Sequence, residues 1–217
     1  MSGIDNQIEY WDRAASEKTF SHPLNLSKFS ALVSFDQRIL DYGCGYGRTC
    51  NELFNLGFKN VLGVDSSPQM IERGRKEHPH LNLQVLSHPY LEFADEAFDA
   101  IILFSVLTCI PTDEGQRRIM AEVSRLLCPG GVLSISDLPL QVDERNRGRY
   151  QKFAEKFGLY GVFELPDGAI CRHHEMSWIG SLTSGLEAIE TTEVEVVTMN
   201  GHAARAFQYL GRKLRRL

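Results

Sequence analysis

A doubly wound α/β fold, with a mostly parallel seven-stranded sheet closed by a C-terminal antiparallel hairpin, follows from three features of the sequence. Between residues 38 and 137, short apolar runs alternate with helical patterns of about a dozen residues, which implies parallel strands joined by right-handed crossovers. The strand runs are apolar almost throughout, as strands covered on both faces are. The end of the chain breaks this pattern: EVEVVTM (193–199) and ARAFQYLGRK (204–213) are β-rich runs joined by Asn200-Gly201, a strong hairpin signal.

The elements can be justified in order. RILDY (38–42) reads as a buried strand and RTCNELFNLG (48–57) as a helix stopped by Gly57. NVLGVD (60–65) is a second strand, and the helix after it (67–78) opens with Ser67 as cap and Pro68 at its first position. LNLQVL (81–86) and FDAIILFSV (98–106) supply the third and fourth strands, followed by an amphipathic helix, EGQRRIMAEVSRLL (114–127). A Pro-Gly turn at 129–130 leads into a fifth strand, GGVLSISD (130–137). Between this strand and the hairpin, residues 145–178 contain a basic helix start and two short β-like runs around Pro166-Asp167-Gly168.

Composition bounds the function. With 217 residues, 43% of them hydrophobic, the chain can bury one substantial core, so a single domain is expected. A net charge of −5, with one short basic run at 211–217, argues against nucleic-acid partners, which need clustered Lys and Arg. The N-terminus lacks the apolar core of a signal peptide, and the longest apolar stretch, around AIILFSVL (100–107), is far short of a membrane helix. Five cysteines without CxxC spacing suit reduced thiols, with no metal site and a cytoplasmic location. The expected state is a monomer or homodimer.

The segment ILDYGCGYGRT (39–49) places three glycines where a strand meets a helix, the end of a parallel sheet at which ligands bind. Gly43, Gly45 and Gly47 depart from the dinucleotide pattern GxGxxG, since Arg48 fills the position that glycine or alanine would take. Asp41, two residues before the first glycine, would repel a diphosphate and can receive an ammonium group. A nicotinamide dinucleotide is therefore disfavoured.

DYGCGYG resembles the first motif of the class I S-adenosylmethionine-dependent methyltransferases, an acidic residue followed by GxGxG. VLGVDSSPQM, FDAIILFSVLTCIP and RLLCPGGVLSISD are similar to later family motifs in the same order, covering about residues 36–137. The resemblance implies a class I methyltransferase fold: a helical cap (1–35), a cofactor-binding core (36–137), a substrate lid (138–178), and a last helix with the closing hairpin (179–217). It implies S-adenosyl-L-methionine as cofactor, with S-adenosyl-L-homocysteine as product. Asp41, Gly43, Cys44, Gly45 and Gly47 would face the methionine part, and Asp65 the ribose hydroxyls. Ser66 and Met70 would flank the adenine, with Ser87 and His88 at its amino group. Trp11 and Phe104, with Tyr10 and Tyr46 as further candidates, would offer aromatic faces to the sulfonium.

The acceptor is narrowed mainly by exclusion. Family members that methylate amino groups of nucleic-acid bases carry Asn/Asp-Pro-Pro-aromatic after the fourth strand, whereas residues 104–107 are Phe-Ser-Val-Leu. Cys109 lacks the preceding proline of cytosine-C5 enzymes and reads as a pocket or core thiol. A small-molecule acceptor is expected, methylated by in-line displacement, the alternative being a catalytically silent cofactor-binding scaffold. In the lid, Arg145, Arg149, Arg172, His173 and His174 are dense for an acidic chain, and Arg172, His173 and His174 are the candidate catalytic residues. One reading is an anionic, carboxylate-bearing acceptor; the other pairs these charges with Glu155, Glu164 and Glu175.

Overall fold

Arg38–Tyr42 (β1) lies in the middle of the sheet, where Ile39 and Leu40 are wholly buried and its apolar side chains serve both faces. The computed structural model describes residues 3–86 and 91–215. On one side of β1 stand Asn60–Asp65 (β2) and Asn82–Val85 (β3). On the other stand Phe98–Phe104 (β4), Leu127–Asp137 (β5), and the hairpin strands Ala203–Lys213 (β9) and Leu186–Val197 (β8), giving the order β3-β2-β1-β4-β5-β9-β8. All pairings from β3 to β5 are parallel, and β5–β9 and β9–β8 are antiparallel. The strand order reverses beside β1, so a crevice opens outside its carboxyl end.

The helices cover both faces. Arg48–Asn55 (α3) starts at Gly47, whose φ of 83° is left-handed. Pro68–Glu77 (α4) is capped by the Ser67 hydroxyl, which accepts from Met70 N at 3.1 Å. Asp113–Leu126 (α5) is capped by Thr112, which accepts from Gly115 N at 2.9 Å. Within α4, Gly74 costs roughly 1 kcal/mol relative to alanine in an exposed helix. Its place is explained by contact, since a Cβ there would lie 2.7 Å from the Tyr46 carbonyl oxygen.

Ile8–Ala14 (α1) and Leu26–Leu32 (α2) precede the sheet, and the chain from residue 3 to 22 crosses the open end of the strands. Beyond β5, Glu144–Phe157 (α6) and the two-stranded Val162–Glu164 (β6) and Ile170–Arg172 (β7) form a separate layer, and Met176–Leu182 (α7) returns to α5. Three boundaries differ from expectation. β5 begins at Leu127 and runs through the Pro-Gly pair, β8 starts seven residues before 193, and α7 starts ahead of residue 179. The early part of β8, LEAIETT, is largely exposed and carries glutamates, as an edge strand protected by charge does, and this hid it from apolar pattern.

Candidate functional site

A cavity of about 720 Å³ opens at the carboxyl ends of β1, β2 and β4, bounded above by α1, the 18–22 segment, α6 and β6–β7. Its size is in the range of small-molecule sites. The floor is made by the glycine turn. Gly43 has a φ of 77° and Gly45 one of 57°. A Cβ on Gly43 would lie 2.6 Å from Val106 Cγ2, and one on Gly45 would lie 2.6 Å from the Phe20 ring. Backbone is therefore exposed to the cavity where a side chain would close it.

The donors of this turn are already engaged. Gly43 N and Cys44 N donate to Val64 O at 2.8 and 3.0 Å, Gly47 N donates to Cys44 O, and Gly45 N donates to Asp65 Oδ2 at 2.8 Å. A diphosphate needs free N–H groups; this turn has none of those four to give. Asp65 also accepts from Ser67 N at 2.8 Å through Oδ1. These bonds fix the carboxylate plane and leave one further lone pair on each oxygen, the arrangement that a vicinal pair of hydroxyls requires. Burial raises the Asp65 pKa, opposed by the two backbone N–H groups.

Asp41 lines the floor, is 2% exposed, and has Cys50 Sγ 3.3 Å from Oδ2. Burial pushes its carboxyl up to about 7. An ammonium ligand would favour the charged form and offset that cost. Two carboxylates, a turn with engaged N–H groups, and apolar Trp11, Met70 and Phe104 thus fit a ligand that carries an amine, a diol and a flat ring.

Of the expected residues, Trp11, Asp41, Gly43, Cys44, Gly45, Asp65, Ser66, Met70, Phe104 and His173 line the cavity, as does Cys109. Gly47, Tyr10 and Tyr46 do not. Gly47 instead sits 3.1–3.2 Å, measured from an added Cβ, from Leu81 and Leu83 methyls, so it serves helix-on-sheet packing. Tyr46 stacks on Phe20 with centroids 5.4 Å apart, and the Tyr10 hydroxyl donates to Asp167 at 3.0 Å. Ser87 and His88 lie outside the described residues. Cys109 donates to Ser105 O at 3.1 Å, and burial holds its thiol well above the ordinary range, which leaves no thiolate for nucleophilic chemistry.

The lid candidates separate. Arg172 does not line the cavity: Nη1 donates to Asp113 Oδ1 at 2.7 Å and to Pro111 O at 3.2 Å, and its guanidinium stands 5.1 Å from the Trp178 ring. It is a buried ion-pair partner that ties β7 to α5. His174 likewise lies off the cavity, with Nε2 3.6 Å from Asp137 Oδ1. His173 faces in, with Nδ1 2.5 Å from the Tyr150 hydroxyl and Nε2 3.4 Å from Arg149. Burial, then Arg149, lowers its pKa well below the usual value, so its imidazole is neutral. Glu164 pairs with Lys156, and neither Glu155 nor Glu175 pairs with an arginine among the described residues.

Sequence reasoning passed over the 18–22 segment. Phe20 lies against Gly45, and His22 Nδ1 is 2.9 Å from Ser136 Oγ. Arg73 holds this segment, donating to Ala15 O and Lys18 O at 2.8 Å while lying 3.9 Å over the Tyr46 ring. An aromatic residue in an otherwise polar loop, KTFSHP, was the one local signal. Gln7 bonds Ile170 in both directions, Nε2 to Ile170 O at 2.8 Å and Ile170 N to Oε1 at 2.7 Å, and so joins the N-terminal segment to β7.

Comparison with known proteins gives the site a context. Residues 40–135 match the family model described as a methyltransferase domain. The chain is 31% identical over 148 residues to the EEF1A lysine methyltransferase 4 of Mus musculus, covering 58% of each chain. It spans only 15% of a second mouse relative, an eEF1A lysine and N-terminal methyltransferase, at 30% identity over 44% of this chain. An O-methyltransferase of Aspergillus nomiae is 27% identical, with 74% of this chain and 73% of that one covered. Among solved structures, a SAM-dependent methyltransferase from Methanosarcina mazei superposes with a TM-score of 0.81 at 24% identity, covering 89% of this chain and 99% of that one, a likeness of fold. With its motifs, strand order and matched segment taken together, residues 40–135 match a methyltransferase domain, and the chain has the fold of the S-adenosylmethionine-dependent methyltransferases.

Proposed function

We propose that this chain transfers a methyl group from S-adenosylmethionine to a small-molecule acceptor held beneath a lid formed by residues 138–178. The observation that carries the reading is the continuity of one cavity from Asp41 and Asp65 on the floor to α6 and β7 in the roof. Bound S-adenosylmethionine supplies a methyl group on a sulfonium, open to in-line displacement. Asp65 holds the ribose hydroxyls with its two remaining lone pairs, and Asp41 receives the ammonium group. Ser66 and Met70 would flank the adenine, and the rings of Trp11, Phe20 and Phe104, which line the same cavity, would surround the positive charge. The lid and the N-terminal segment exclude water and hold the two reactants in line, from which most of the rate arises. A neutral His173 of low basicity removes protons poorly. That suits an acceptor atom that is already nucleophilic.

The relatives' names include a lysine methyltransferase of a protein and an O-methyltransferase. The roof favours a small molecule over a lysine. Arg145, Arg149 and Lys152 all line the cavity and none has an ion-pair partner among the described residues, so an incoming lysine would meet three cations. The test is to incubate the protein with S-adenosylmethionine and separated fractions of a cell extract and measure S-adenosylhomocysteine. Formation that depends on the low-molecular-weight fraction is expected. Formation that depends only on the protein fraction overturns the small-molecule acceptor, and cofactor binding without turnover on either leaves the silent scaffold.

A further inference from the structure

The roof of the cavity has a charge pattern that the fold does not use. Arg145, Arg149 and Lys152 stand at positions i, i+4 and i+7 of α6, one stripe of the helix, and all three border the cavity. The other charged groups around that space are accounted for. Asp167 is held by Lys18 at 2.8 Å and by Tyr10, Glu164 by Lys156, and Asp5 accepts from Thr112. Arg48 donates to Glu52 at 2.6 Å and to His22 O. Asp41 and Asp65 belong to the floor. Among the described residues none of the three makes an ion pair; Asp143, at the start of α6, acts on Arg145 from outside the cavity lining, and Arg149 and Lys152 face the cavity without an acid of their own.

Arg149 is the best placed of the three. Its guanidinium carbon lies over the Phe163 ring, 3.6 Å from the centroid, and its buried Nε has no hydrogen-bond partner. Nη2 is 3.4 Å from His173 Nε2. Around it the cavity wall is apolar, with Phe153, Phe163, Leu165 and Cys171. A guanidinium clamped on a ring offers its N–H groups in one plane, and the planar two-oxygen partner that matches is a carboxylate.

From this we infer that the acceptor of the proposed methyl transfer is an organic acid: an apolar body in the pocket of Phe153 and Leu165, its carboxylate on Arg149, with Arg145 and Lys152 adding charge at the rim. The inference rests on the methyl-transfer reading, and its test keeps the two apart. The probes are 2-naphthoate and its neutral counterpart 2-naphthamide, titrated by calorimetry with and without S-adenosylhomocysteine. The product's own binding tests the cofactor reading, and the probe pair tests the acid site. 2-Naphthoate is expected to bind the loaded protein at least roughly tenfold more tightly than the amide, the equivalent of one charge-assisted contact. Arg149→Gln should abolish the preference while S-adenosylhomocysteine affinity stays within about twofold, Arg149→Lys should keep part of it, and the exposed double variant Arg145→Gln/Lys152→Gln should reduce it less. Equal binding of acid and amide, no saturable binding of the acid, or a preference that survives Arg149→Gln overturns the inference.

Discussion

The floor and the roof of the cavity are built on opposite principles. On the floor the glycine turn and Asp65 are held by neighbours close in the chain or on an adjacent strand: Gly45 N and Ser67 N fix Asp65, and Val64 O fixes the glycine turn. Above the cavity the contacts run across most of the sequence, joining the N-terminal segment to the β6–β7 layer through Gln7 to Ile170 and Lys18 to Asp167. On α6 the roof also carries Arg145, Arg149 and Lys152, which make no ion pair among the described residues and border the cavity beside Phe153 and Phe163. A preformed floor suits a ligand that never changes, and a roof joined by a few long-range bonds suits one that must enter and leave.

The comparison predicts unequal responses to mutation. The largest effect should come from the floor: Asp65→Ala removes two hydroxyl contacts and the anchor of Gly45 N together, weakening S-adenosylhomocysteine binding by about 2–4 kcal/mol. Calorimetry on the folded variant measures it, and an unchanged dissociation constant takes Asp65 out of the site. Arg172→Ala, next in size, should lower unfolding stability by about 2 kcal/mol, since the buried arginine's ion pair with half-exposed Asp113 and its ring contact are lost, while leaving cofactor affinity alone. If it alters product affinity without destabilising the fold, the division between roof support and ligand contact is wrong.

The third effect is on pH. Because burial raises Asp41 to about 7 in the free protein, Asp41 contributes stability that is fully present below the unfolded carboxylate range and is lost as pH rises through about 7. An ammonium ligand needs the ionised form, so cofactor affinity should run the other way. It should be flat above pH 7 and fall by up to about tenfold per unit below it. Titrations from pH 5 to 8 check this, and Asp41→Asn should bind weakly with a flat profile. A wild-type profile that does not fall below pH 7 breaks the assignment of Asp41 to the amine. Smallest of all, Gln7→Ala should cost about 1 kcal/mol or less and speed amide hydrogen exchange in β6–β7 without changing exchange in β1.

The core could be read from sequence because its signals are local. Strand runs, the Ser67-Pro68 helix start and the alternating glycines each declare themselves within a few residues, and the parallel order follows from their alternation. The roof could not be read this way. Arg172 finds Asp113, 59 residues away, and nothing beside Arg172 announces that partner. The stripe of Arg145, Arg149 and Lys152 has helical spacing in the sequence, but whether it faces solvent or ligand depends on how α6 settles over the sheet. Phe20 reaches Gly45 across a loop without periodicity, so its role appears only once the fold is formed.

The double bond of Gln7 to Ile170 has a kinetic consequence. An amide side chain that both donates to and accepts from one backbone residue acts as a one-residue extension of β7, so the N-terminal segment and the roof layer are coupled and should swing open as one body. Spent cofactor and methylated product would then leave by one shared gate. In a single-turnover experiment both should depart in one kinetic phase, faster in Gln7→Ala. Two well-separated release phases would mean that the segments part independently.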